Sequence, residues 1–174
     1  VTKALMSGLL LLAVAGCQRP DVAAIRAQLA ATDFSQAQQP LLFAEFVSAG
    51  SAGLLGKAGV NGSVESWQSP DGVGLSLDRG VLVRTAGHGR TLLIADATHT
   101  RAALTGQGAR EYQKLYKHLT GENQVRETVF SCRMSGPAAE QITRAGKPST
   151  AIHWQEACSS GSTSMVNDYW TQAG

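Results

Sequence analysis

The sequence is poor in charge, aromatics and cysteine, and each shortage removes a class of protein. Asp, Glu, Lys and Arg make up 16% of the 174 residues, and the formal net charge is +2. That balance leaves no basic stripe to neutralise phosphates, so no nucleic-acid partner is expected. With 43% hydrophobic residues beside so few charges, the chain departs from the disordered type and can bury a core. Three cysteines are too few for a disulfide-dense scaffold, and no two stand in a CxxC pair that would mark a redox centre. Aromatics at 6% against 19 glycines favour turns and closely approaching backbones, an antiparallel β architecture rather than a helical bundle.

Catalytic signatures are missing as well. His88, His99, His118 and His153 show no HExxH or HxH spacing and no cysteine partner at zinc distance, so no metal is expected. Gly161-Ser162-Thr163-Ser164-Met165 lacks the final glycine of a nucleophile elbow. Ser51–Ala58 approaches a phosphate loop, but Ser51 replaces its first glycine and Ala58 its Mg²⁺-binding hydroxyl. The acidic residues scatter among turns and strands, which nominates no glycosidase pair. The expectation is a protein without catalytic residues or cofactor.

What is present begins at the N-terminus. Lys3, the apolar run Leu5–Ala15 and the small residues Ala15 and Gly16 before Cys17 form the three regions of a secretory signal. The run is well short of the ~20 residues that span a bilayer. Val14-Ala15-Gly16-Cys17 resembles the lipobox of bacterial lipoproteins, with Cys17 as the sulfur that carries the lipid. Gln18-Arg19 in place of Asp after the cysteine resembles the outer-membrane type. Two or three acyl chains at about 0.8 kcal/mol per buried methylene give permanent attachment. Residues 1–16 are therefore read as signal peptide, 17–39 as lipidated tether with a short helix, and 40–174 as a β domain.

In the tether, Pro20 and Asp21 start a helix whose Val22, Ile25 and Leu29 share a face. Leu41–Val47 reads as a strand, and Gly50, Gly53, Gly56 and Gly59 as a glycine-spaced loop. Val64–Gln68, Val73–Leu77, Val81–Thr85 and Thr91–Ile94 alternate between the turn signals Ser69–Gly72, Asp78–Gly80 and Ala86–Gly89. This is a β-meander. Tyr112, Leu115, Tyr116 and Leu119 recur at helical spacing before a turn at Thr120–Asn123, and Val125–Met134 is rich in β-branched residues. Ala138–Arg144, Ala151–Ala157 and Ser164–Trp170 read as shorter strands. Cys132 and Cys158 lie in strand-like segments of an exported chain and are expected to form a disulfide, worth very roughly 3–4 kcal/mol on the chain-entropy model.

Leu41-Leu42-Phe43, Val64-Glu65-Ser66-Trp67, Gly80–Gly89 (GVLVRTAGHG), Cys132, Glu156-Ala157-Cys158 and Asn167-Asp168-Tyr169-Trp170 together resemble the YjbF/GfcB family. These are lipoproteins encoded with exopolysaccharide and group-four capsule genes. The resemblance implies a curved antiparallel meander sheet, half-barrel or sandwich-like, in which both flanks of the Thr120–Asn123 turn are strands. It implies an accessory of capsule or exopolysaccharide assembly or export that binds polysaccharide or co-anchored export proteins and has no established catalytic residues. The family continues beyond the Tyr-Trp strand, so a domain cut short at its C-terminus is expected. Trp67, Arg84, His88 and Trp170 are the candidate glycan or partner contacts. Two other functions remain open: a lipid or lipoprotein carrier with an apolar cavity, and a glycan-processing enzyme with paired carboxylates.

Overall fold

The computed structural model describes residues 21–34, 36–87, 91–144 and 147–172. Asp21 caps the first helix, α1 (Val22–Ala31), by accepting a hydrogen bond from the Ala23 N–H at 3.3 Å. α1 buries no residue fully, and its Arg26 pairs with Glu45 on the first strand.

Among the described residues ten strands follow: β1 (Leu41–Phe46), β2 (Ser51–Asn61), β3 (Val64–Gln68), β4 (Gly74–Asp78), β5 (Val81–Ala86), β6 (Leu92–Ala95), β7 (Glu111–Leu119), β8 (Val125–Arg144), β9 (Lys147–Ser160) and β10 (Thr163–Gln172). They make two antiparallel five-stranded meanders, β1-β2-β3-β4-β5 and β10-β9-β8-β7-β6, one of them curled into a half-barrel. A mainly β, half-barrel-like fold with a short N-terminal helix is what the sequence predicts. The sheets meet where the Leu92 N–H on β6 donates to Thr85 Oγ1 on β5 at 2.9 Å. A second helix, α2 (Thr98–Leu104), follows β6, and its Arg101 reaches Asp78 at 2.9 Å.

Local departures from the expected elements have identifiable causes. The glycine-spaced segment is strand β2, because Leu54 and Leu55 pair with Phe43 and Leu42 and the ladder satisfies the backbone. Its Gly56 permits a close approach: a Cβ there would lie 2.6 Å from Gln39 Nε2. The helical spacing across residues 112–119 is coincidental. In β7 Tyr112, Lys114 and Tyr116 alternate inward, and the buried lysine disguises the two-residue period. β8 runs unbroken for 20 residues where two strands are expected, and β9 extends Ala151–Ala157 at both ends. α2 is unforeseen, since seven residues with three hydroxyl or imidazole side chains carry little amphipathic signal.

The core of the second sheet holds Leu92, Ala95, Tyr116, Phe130 and the cysteines, continuing into Ala103, Met134 and Trp154 beneath α2. Cys132 and Cys158 face each other in register across β8 and β9 and are bonded.

Candidate functional site

Two clusters of polar side chains occupy opposite faces of β8–β10, and strand alternation decides which residue joins which. Along β10, Asn167 and Tyr169 point to the core, while Asp168 and Trp170 point outward. Along β9, Trp154 and Glu156 are buried, while His153 and Gln155 point outward.

Glu140 reaches the outer face by a different device. Strict alternation from the buried Cys132 and Met134 would aim residue 140 inward. One extra residue between Ser135 and Ala138 shifts the β8 register and reverses the phase. Gly136 makes the shift possible: its φ is +110°, and a Cβ there would stand 2.7 Å from the His153 carbonyl oxygen.

On the outer face, His153 sits between two carboxylates, its Nε2 2.9 Å from Asp168 Oδ1 and its Nδ1 3.5 Å from Glu140 Oε2. Gln155 Nε2 donates to Asp168 at 3.1 Å, and Trp170 Nε1 donates to Glu140 at 2.9 Å. The imidazole stacks on the indole with centroids 4.9 Å apart and planes 14° from parallel. Trp170 is nevertheless 48% exposed, a large aromatic surface presented to solvent. Hydrogen bonds from His153 and Gln155 hold the Asp168 carboxyl below its usual range, so it serves as an acceptor. On the same face, farther along β7–β9, lies a hollow of about 480 Å³ lined in part by Gln113, Ser131, Arg133 and Ser159. Arg133 is held there by Glu111 at 2.6 Å.

The inner cluster centres on Glu156, which is 0% exposed. Its carboxylate accepts from Thr100 Oγ1 at 2.6 Å, Tyr112 OH at 2.6 Å, Lys114 Nζ at 3.0 Å, Asn167 Nδ2 at 2.8 Å and Tyr169 OH at 2.9 Å. Burial pushes this carboxyl upward, but the hydroxyls of Thr100 and Tyr112 and the Lys114 ammonium prevail and bring it to about 2. Burial, followed by bonding to Glu156, raises the Tyr112 phenol; burial and the Glu156 charge raise that of Tyr169. With both tyrosines fixed as donors, the cluster fastens α2, β7, β9 and β10 together. The carboxylate and the two cysteine sulfurs lie within 4.8 Å of one another, but the sulfurs are bonded to each other and the carboxylate is occupied by its donors.

Of the contacts nominated from sequence, Trp67, Arg84 and Trp170 are described, and they are not gathered into one site. Trp67 is 7% exposed with Lys57 Nζ 5.1 Å from its ring, so this indole packs and offers no face to a sugar. Trp154 is likewise buried, against Arg110. Arg84 is exposed on β5 opposite Ser76, in the other sheet from Trp170. His88 and Cys17 lie outside the described residues. Of the nominated residues that the structure describes, Trp170 alone joins the outer cluster. Glu140, His153, Gln155 and Asp168 were missed, although period-2 alternation in two adjacent strands would have placed all but Glu140 beside it.

An open groove of about 1020 Å³ lies beside α1, lined in part by Leu29, Phe34, Leu41, Phe43 and Leu54, with Arg26 and Gln39 also on its wall. Among the described residues no helix is long and apolar enough to cross a membrane.

Residues 11–174 match the family model described as group 4 capsule polysaccharide lipoprotein gfcB, YjbF. The chain belongs to the YjbF family. The family covers nearly the whole sequence, including both polar clusters. The crystal structure of the hypothetical lipoprotein YmcC from Escherichia coli K12 has the same fold, with a TM-score of 0.66 at 19% identity over 86% of this chain and 75% of that one. No curated protein matches.

Proposed function

We propose that this YjbF-family protein is an outer-membrane lipoprotein, anchored through Cys17 and facing the periplasm, that supports capsule or exopolysaccharide assembly or export by binding rather than by catalysis. The observation that carries this reading is the match of residues 11–174 to a family described by group 4 capsule polysaccharide. Anchoring confines the domain to one leaflet and raises its effective concentration near other anchored export components. Deleting the gene is expected to reduce surface polysaccharide, with restoration by the wild-type gene and not by Cys17→Ala. A deletion strain with normal polysaccharide, or a mature protein without acyl mass at Cys17, refutes the reading.

The apolar groove beside α1 favours a second reading, a carrier for an acyl chain. Uptake of a fluorescent fatty acid by wild type, lost on Phe43→Glu, would select it.

A further inference from the structure

We propose that the outer face of β8–β10, centred on Trp170, is a saccharide-binding surface selective for neutral or amino sugars over uronic acids. Given the polysaccharide reading above, on which this site rests, the geometry specifies the class of sugar. A pyranose has an apolar C–H face and a rim of hydroxyls, and the outer cluster offers a counterpart to each. The Trp170 indole supplies the apolar platform, 48% exposed and braced from behind by the stacked His153 ring. Asp168 and Glu140 supply acceptors for hydroxyl protons, and an ionised acceptor makes the stronger class of hydrogen bond.

Each acceptor is already fixed before a ligand arrives. Asp168 is held by His153 and Gln155, and Glu140 by the indole N–H of Trp170 itself. Side chains ordered in advance do not lose rotamer freedom on binding, which raises affinity for a flexible glycan.

The same two anions set the selectivity. A uronate brought onto Trp170 meets two carboxylates, and like charges at close range oppose binding. A neutral residue has no such barrier, and a protonated amino sugar gains attraction. Arg133, farther along the face, is paired with Glu111, which offsets its charge. The hollow lined by Gln113, Ser131 and Ser159 extends the polar surface along the strands, so that a chain of sugars continues past the platform.

The test uses the full-length lipoprotein in detergent, applied to immobilised neutral hexa-oligosaccharides, chitosan hexamer and oligogalacturonate, with affinities measured by calorimetry. Retention on a neutral or amino oligosaccharide is expected, with oligogalacturonate about tenfold weaker or worse. Trp170→Ala should lower affinity about tenfold, Asp168→Asn severalfold, and Trp170→Phe should retain most of it, all with an unchanged melting temperature. Absence of binding to every oligosaccharide, equal binding by Trp170→Ala, or preference for oligogalacturonate overturns the site. Failure of the site is separable from failure of the function: a strain whose polysaccharide is lost on deletion and fully restored by Trp170→Ala retains the function and rejects the site.

Discussion

Lys114 Nζ lies 3.0 Å from Glu156 Oε2 at the centre of the second sheet, and the two side chains are 2% and 0% exposed. A buried ion pair adds little net stability when intact, because desolvation offsets its attraction, but breaking it strands a charge. Here four further donors complete the carboxylate's shell, so the anion depends on the whole arrangement of α2, β7, β9 and β10.

Removing the cation alone is the severe perturbation. Lys114→Met should destabilise the fold by about 3–5 kcal/mol, measured as a lower urea midpoint at unchanged slope. Glu156→Gln in that background should recover part of the loss, because a neutral amide leaves no uncompensated charge. A Lys114→Met protein as stable as wild type would show that the pair is dispensable.

Acid should weaken the fold through the same carboxyl. Glu156 has an ordinary value of 4.5 and is lowered to about 2 in the folded protein, so it binds its proton more readily when unfolded. Its contribution is therefore fully present above about pH 4.5 and is lost as pH falls toward 2. Chemical denaturation between pH 6 and 2.5 should show declining stability, with a shallower decline in Glu156→Gln.

The disulfide closes a loop with a sequence separation of 26 residues. Replacing both cysteines by alanine should cost about 3–4 kcal/mol on the chain-entropy model, without changing the register of β8 and β9, whose ladder continues on both sides of the bond. Thermal melts of the variant, and of wild type with and without reductant, measure the loss.

Gly136→Ala should disturb the outer cluster specifically. The new Cβ meets the His153 carbonyl and the Trp154 backbone and ring, at a φ that side chains rarely adopt. A cost of about 1–3 kcal/mol is expected, together with release of Glu140 from Trp170 and His153. Altered chemical shift of the Trp170 indole N–H is the specific readout, and an unchanged shift would place the phase of β8 under some other control.

Much of the fold was legible because alternation and turn chemistry agree across β3–β6, where each strand is short. Legibility failed where an inward residue is polar. Lys114 interrupts the apolar row of β7, and the remaining tyrosines and leucines then mimic a helix. Glu156 is hidden for the same reason: no local pattern distinguishes a buried glutamate whose donors come from three other elements, α2, β7 and β10. At the outer site, Trp170 could be nominated by its size alone. His153, Gln155 and Asp168 follow from alternation once β9 and β10 are paired, whereas Glu140 depends on a single inserted residue at Gly136 that reverses the pattern. The tryptophans show the complementary limit, since composition does not reveal that Trp67 and Trp154 are packed inside while Trp170 is not.

β10 carries both rows of side chains on one backbone, Asn167 and Tyr169 gripping the interior and Asp168 and Trp170 facing out. A ligand seated outside is therefore expected to steady β10 as well, and amide hydrogens from 167 to 171 should exchange more slowly when it is bound. If the proposed surface is occupied, the buried glutamate should sense it through Asn167 and Tyr169, which share the β10 backbone with the ligand's contacts.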